Sequence, residues 1–527
     1  MKKFWVILLS LGLLMAFAMP AAAVDVKFSG SYYAMGWYVD NPSMLDKSAP
    51  VDTATTSSWA NNSRRSSYAF YSQQFRLTTE FQVVEGLKLV TRIDALEKKW
   101  GDQSWAGGTG ETQSRTNTWA GGAGAATKIQ ENIEFERAYL DFNVPFGKFQ
   151  VGYMQFLTWG TDFLNTPLSA GGIRYWYSQG PWLAVAAIEK RAEYLTPAGG
   201  KLGAQGTASA MNSTGTGGSG YVGQGSDADK DVYDLGAIYK MKAGEAGLLY
   251  QYVRSSQYKT QYTNGYLTQI SGLFPYAKLT FGNFFIEGEY AYGFGNIRSY
   301  ENNGMATNSR GSAVGGLAQD VSITAQNVFL HGKYDFKPAY VGLQFVYMSG
   351  DDNSNSDKMT GSLGSLLQAN YGFNRTLMLW NSDYGDNLGA MPGNITAAMT
   401  NQRTGVGYQP NQFMDNVWFY QIYAGIKPMP KMDIKVAFSI ANADKKPKSD
   451  VGAVGAAGYY TGAAVQEFAS SEYGKELDLT ATYKIYDNLS YMIGAGYLWT
   501  GDYFKGYQSG VTVSNNYLLS HKLTLNF

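Results

Sequence analysis

"NNYLLSHKLTLNF", residues 515–527, is the stretch on which the rest of the chain turns. Tyr517, Leu519, Leu523, Leu525 and Phe527 fall on one parity, and the aromatic carries the terminal carboxylate. A soluble domain usually frays into small polar residues, whereas this end stops mid-pattern on an apolar face of period two. Such a strand needs a neighbour to pair with and an apolar medium to face.

The other end narrows the choice of medium. "MKK" is a basic leader, Phe4 to Met19 is an apolar stretch too short to span and remain, and Ala21 and Ala23 stand in the small-x-small arrangement of a cleavage site. Residues 1–23 are therefore expected to be a cleaved signal peptide and 24–527 a single mature domain. Cysteine is absent, which excludes disulfides, thiolate metal sites and C-x-x-C-H haem attachment. Lys+Arg and Asp+Glu are equal at 42 each, so charge gives no reason to expect nucleic acid. Glycine (62) and tyrosine (40) are over-used and proline (14) is scarce, a strand-and-turn composition with aromatic surfaces. Mean hydropathy is −0.25 with no long apolar run after residue 23, which excludes a helical membrane protein and leaves a transmembrane barrel open.

Period two recurs along the chain. "FRLTTEFQV" sets Phe75, Leu77, Phe81 and Val83 against Arg76, Thr78, Glu80 and Gln82; "KMDIKVAFSI" and "KELDLTATYKI" repeat the pattern. Alternation alone fits a sandwich or a barrel in lipid. The connections decide between them. Tight links such as "VVEGLK", "NVPFGK", "TFGN", "KPMPKM" and "YDNLS" alternate with long Gly/Ser/Asn-rich stretches, the longest at about 350–412. Short turns on one rim and long loops on the other predict an all-β fold: a transmembrane antiparallel barrel of the bacterial outer membrane, with about 18 strands (16 to 20), periplasmic turns and extracellular loops. The last strand closes against the first, "DVKFSGSYYAMGWYV", and Tyr517, Leu519, Leu523, Leu525 and Phe527 resemble the terminal signal read by the barrel-assembly machinery. Trp37, Tyr38, Trp159, Tyr175, Trp176, Tyr290, Tyr292, Trp418, Tyr420, Tyr497 and Trp499, at strand ends, are expected to form interfacial girdles.

No enzymatic motif stands out on a suitable element. The two histidines have no partner pattern: His331 is expected to face the lumen and His521 the lipid. The informative residues lie on the polar parity: Arg76, Lys88, Arg92, Arg137, Lys333, Lys435, Lys484 and Lys522, with Glu80, Asp94, Asp141, Glu287, Glu289, Asp433, Glu476 and Asp478. So many ions require a wet lumen or dense pairing, because a dry interior costs several kcal/mol per unpaired charge. These sixteen are the expected pore-lining residues, and their balance predicts weak charge selectivity. Barrels of this size enclose an aqueous channel, so a loop is expected to narrow it: 350–412 first, 100–129 and 294–323 as rivals. No cofactor is expected. The exception left open is calcium in "SGDDNSNSDK", where Asp351, Asn353, Asn355 and Asp357 alternate as oxygen ligands do, without the glycine and glutamate of an EF-hand.

"ERAYLDFNVPFGKFQVGYMQF" followed by "GGIRYWYS", with "FVYMSGDDNSNSDK" and "GAGYLWTGDYF", resembles alginate-export-like porins and the outer-membrane channels of sulfate- and metal-reducing bacteria. The resemblance implies an eighteen-stranded channel, often monomeric, that passes anionic solutes. Alginate exporters line the lumen with excess arginine, whereas here the two signs balance. The expectation is thus a porin: a passive channel for small hydrophilic solutes or ions. The alternatives are a barrel sheathing a multihaem cytochrome in an electron conduit and a substrate-specific anionic or polysaccharide channel; a channel for hydrophobic compounds is disfavoured by the charged lumen parity. Expected partners are outer-membrane lipid and lipopolysaccharide, the assembly machinery, small solutes and, as the alternative to a monomer, further copies of the chain.

Overall fold

The computed structural model describes residues 24–46, 67–100, 133–165, 169–192, 229–256, 266–300, 320–351, 357–363, 372–383, 414–449, 466–505 and 512–527, apart from 43, 45, 157, 362 and 447. The expected leader, 1–23, lies outside them. Eighteen long strands make the wall: β1 (Asp25–Asp40), β2 (Ser67–Val84), β3 (Leu87–Lys99), β4 (Ile133–Val144), β5 (Gly147–Gln155), β6 (Ser169–Gln179), β7 (Trp182–Ala192), β8 (Lys230–Met241), β9 (Gly244–Ser255), β10 (Tyr266–Phe281), β11 (Phe284–Tyr300), β12 (Val321–Asp335), β13 (Ala339–Met348), β14 (Val417–Met429), β15 (Met432–Asn442), β16 (Glu472–Tyr486), β17 (Leu489–Thr500) and β18 (Asn516–Asn526). Each pairs antiparallel with the next, and β18 pairs with β1 from Ser31↔Asn526 to Asp40↔Tyr517. The result is a closed antiparallel barrel with no free edge. The count is the expected eighteen, and "FRLTTEFQV", "KMDIKVAFSI" and "KELDLTATYKI" fall on β2, β15 and β16.

The outward parity is apolar and uncovered. Leu235 is 64% and Leu343 60% exposed, values no water-facing core could have, so this surface faces lipid. The seam closes with the terminal residue. Phe527 and Gly30 exchange backbone hydrogen bonds (2.8 and 3.1 Å), and the Phe527 ring stacks on Phe75 with centroids 6.4 Å apart. A Cβ on Gly30 would stand 2.8 Å from that ring, so only glycine leaves the seat clear. His521 lies on the same outward face as Leu519 and Leu523, between Tyr71 (5.5 Å) and Tyr491 (5.8 Å).

Three aromatics expected in the girdles point inward instead. Trp37 is buried and stacks on Phe70 at 6.1 Å; Trp176 lies beside Arg174; Trp159 sits inside the barrel. Strand-end position does not set the face; parity does. Tyr38, Tyr175, Tyr290, Tyr292, Trp418, Tyr420, Tyr497 and Trp499 keep the lipid-side parity.

The inward parity also changes along the axis. Near the turns it is charged, but near the long-loop ends Val39, Val232, Ile323, Val346, Met348, Val417 and Leu518 are buried on the inside of the wall. They join one apolar cluster with two chain segments that fold into the barrel, residues 158–165 between β5 and β6 and residues 372–383 between β13 and β14. The upper lumen is thus partly filled by packed side chains.

Candidate functional site: the constricted lumen

The first inward segment begins where the wall itself is interrupted. Pro275 has no N–H to give, and the β10–β11 ladder has no rung at Phe274 or Pro275. The Phe274 carbonyl instead accepts a hydrogen bond from Trp159 Nε1 (2.9 Å), which brings the segment against the wall, edge-on to Tyr276 at 5.4 Å. Gly160 then adopts a positive φ of 66°, and a Cβ there would stand 2.5 Å from Glu289 Oε1. That close approach lets Glu289, buried on β11, accept hydrogen bonds from the Thr161 backbone N–H (2.9 Å) and hydroxyl.

The second inward segment is held in the same way from another part of the wall. Glu476 on β16 is completely buried and accepts the N–H groups of Leu377 (3.1 Å), Met378 (2.8 Å) and Leu379 (2.7 Å); Asp478 accepts Leu377 as well (3.2 Å). Gln421 on β14 donates to the Arg375 carbonyl at 2.7 Å. Within the segment Thr376 Oγ1 accepts from Trp380 N–H, closing a compact turn that projects Leu379 and Trp380 into the apolar cluster.

The two segments meet. Phe163 and Phe373 lie 5.2 Å apart in T-shaped contact, both touch Phe329 of β12 (5.6 and 5.1 Å), and Trp380 bridges Phe373 to Phe419 of β14. All five rings are at most 1% exposed, and burial contributes about 1.5–3 kcal/mol each. Arg375 stacks on Phe373 at 3.7 Å and extends toward Asp162 at 3.8 Å. Asp162 is 80% exposed, and Asp383 reaches Lys522 of β18 at 3.7 Å.

The remaining lumen runs beside a wall of paired charges. Arg76 makes a bidentate contact to Asp94 (2.7 and 2.5 Å), Arg92 donates to Glu136 (3.0 Å), Lys88 pairs with Glu80 (2.8 Å), and Lys148 pairs with Asp141 (2.7 Å). Arg137 donates to Gln155, and Arg174 donates to the Phe156 carbonyl at 3.1 Å. Exposure within the pairs is uneven: Arg76 is 32% and Lys148 39% exposed, their partners Asp94 4% and Asp141 9%. Farther round the barrel His331 is hydrogen-bonded to Glu287 (2.9 Å) and the Tyr423 hydroxyl (2.7 Å), Lys333 pairs with Asp335, and the Tyr340 hydroxyl donates to Asp433. Lys435 lies over Tyr423 and Lys522 over Tyr33.

All sixteen expected pore-lining residues stand on the inward parity, but they do not share one role. Glu289, Glu476 and Asp478 are covered by the inward segments and hold them. Arg92, Asp94 and Asp141 are buried beneath neighbours. Arg76, Glu80, Lys88, Arg137, Glu287, Lys333, Asp433, Lys435, Lys484 and Lys522 keep partly or fully exposed side chains. Of the loops expected to narrow the pore, 350–412 supplies residues 372–383; residues 101–129 and 301–319 of the rivals lie outside the described residues. The segment at 158–165 was not expected, and neither were the roles of Asp162, Arg375, Asp383, Lys148, Arg174 and Glu136. Of the calcium pattern, Asn353 and Asn355 lie outside the described residues, while Asp351 accepts the Thr360 N–H (2.8 Å) and the Asp357 carbonyl accepts Ser322.

The sequence pattern of the Gram-negative porin family matches residues 10–379. Among solved structures the chain is similar to Pseudomonas aeruginosa OpdQ (11% identity, 95% of this chain and 97% of that one, TM-score 0.42). It is also similar to Acinetobacter baumannii OccAB4 (10%, 96% and 99%, TM-score 0.40) and to a loop L8 deletion mutant of OmpT, an outer membrane protein of Vibrio cholerae (8%, 95% and 99%, TM-score 0.35). No curated protein matches the chain.

Proposed function

Since the chain belongs to the Gram-negative porin family and its barrel resides in the bacterial outer membrane, we propose that it is a passive channel for small hydrophilic solutes and ions, with weak charge selectivity. Solutes pass between the inward segments and the charged wall of β2 to β6. The observation that carries the reading is that both signs keep solvent-exposed side chains on the lumen face. Arg76, Lys88, Lys148 and Lys522 are 25–39% exposed, and they are met by Asp162 at 80%, Glu80 at 38% and Asp383 at 37%. Comparable numbers of accessible cations and anions leave little net potential to sort small ions. The apolar upper lumen does not argue for hydrophobic cargo, because its side chains are packed against the inward segments. Polyanion export is no part of the proposal, since Arg76, Lys88, Arg92, Lys148, Lys333 and Lys522 each stand beside an acid. Planar-bilayer recording of the pure protein tests it: stable ion-conducting pores with a small reversal potential in a salt gradient are expected, and folded barrels without conductance would overturn it.

A further inference from the structure

We propose that residues 158–165 and 372–383 move as one gate, so that releasing either from the wall loosens both. Each segment has its own anchor. Glu289 holds Thr161, and Glu476 holds the N–H groups of 377–379. Neither carboxylate makes an ion pair among the described residues, so each anchor rests on hydrogen bonds to its segment. Between the anchors the described residues of the two segments meet at one joint. Phe163 meets Phe373, both pack on Phe329, and Arg375 lies on Phe373 while reaching toward Asp162. Close-packed rings pass a displacement to their neighbours, because a gap of even 1 Å forfeits much of the contact. If the 372–383 segment swings off Glu476, Phe373 leaves the socket that holds Phe163. The first segment then keeps Glu289 and Trp159 but loses its packing. The lumen is therefore widened in one cooperative step, and a change at the anchor of one segment alters the aperture presented by both.

The chain has no cysteine, so single reporter thiols can be placed in the full-length protein in detergent or vesicles. Leu164→Cys reports on the first segment and Leu379→Cys on the second; both positions are buried. The rate of modification by a small charged methanethiosulfonate reagent is measured in each background. Glu476→Gln keeps the size of the side chain and removes one of the two acceptor oxygens, and it is expected to raise labelling at 379 by about tenfold or more. The proposal requires that labelling at 164 rise by a similar factor, and that Phe373→Ala abolish this response of position 164 to Glu476→Gln. A rise confined to 379 means independent segments and overturns the proposal; so does no rise at either position. Heat-dependent gel mobility checks folding, and if Glu476→Gln does not fold, Leu377→Pro removes the anchored N–H from the segment side and is read in the same way. The labelling ratio does not depend on ion selectivity, so this inference and the proposed function fail separately.

Discussion

Replacing Gly160 by alanine asks whether the inward segments set the conductance. Gly160 has φ of 66°, and an added Cβ would lie 2.5 Å from Glu289 Oε1 and 2.8 Å from its Cδ. Alanine in the left-handed region costs about 1–2 kcal/mol. The methyl also drives Glu289 away from Thr161, and leaving buried polar groups unsatisfied costs about 1–3 kcal/mol. Together these oppose the seated position by about 2–5 kcal/mol, about one and a half to three and a half factors of ten in the seated population. The wall has no stake in the change, because Gly160 lies off the strands. Purified Gly160→Ala should therefore retain heat-dependent gel mobility while its single-channel conductance in planar bilayers rises and becomes noisier. A folded variant with the parent's conductance would refute the reasoning, by showing that this segment does not bound the ion path.

Three further outcomes follow from the geometry. Asp162→Lys reverses the most exposed charge at the narrows, and a change of about 1 kcal/mol at high dielectric should tilt the permeability ratio toward anions by about fivefold, read as the reversal potential in a salt gradient. Phe527→Ala and Gly30→Val should each lower insertion of newly made protein into the outer membrane, the first by removing the closing ring and the second by filling its seat; unchanged insertion would return residues 515–527 to the status of an ordinary strand. Arg76→Glu with Arg92→Glu leaves Asp94 buried among acids, and breaking a buried pair in this way costs about 3–5 kcal/mol, so the folded gel band should convert to the unfolded one at a lower temperature.

Much of the wall was legible because a strand in lipid writes its orientation into alternate residues. "KELDLTATYKI" assigns Leu477 and Leu479 to lipid and Glu476 and Asp478 to the interior without further information. What alternation does not show is what covers the interior face. Glu476 and Lys484 share a parity on one strand, yet one is completely buried under the 372–383 segment and the other is exposed. A weaker signal was present: "AYVGLQFVYM" ends on Phe345, Val346, Tyr347 and Met348, apolar on both parities, the mark of a strand covered on both sides. The 158–165 segment escaped because "TWGTDFLN" reads as a loop, and its function depends on contacts far along the chain. Trp37 and Trp176 were placed by nearness to strand ends, a criterion blind to which face they occupy.

The anchors also dictate when the narrows can exist. Thr161 and Glu289 are separated by 128 residues, and Leu379 and Glu476 by 97. A chain that enters the periplasm from its N-terminus presents Trp159 and Phe163 long before β11 can receive them, and Phe373 and Trp380 before β16 can. Closing such distant contacts is slow, because the ordering of the intervening chain comes first and the contact follows. Constriction is therefore a late product of biogenesis, completed only when nearly the whole wall is in place. Until then the four aromatic rings are adhesive surface in an aqueous compartment, and a sheet that stops short of β16 has no carboxylates to seat the second segment.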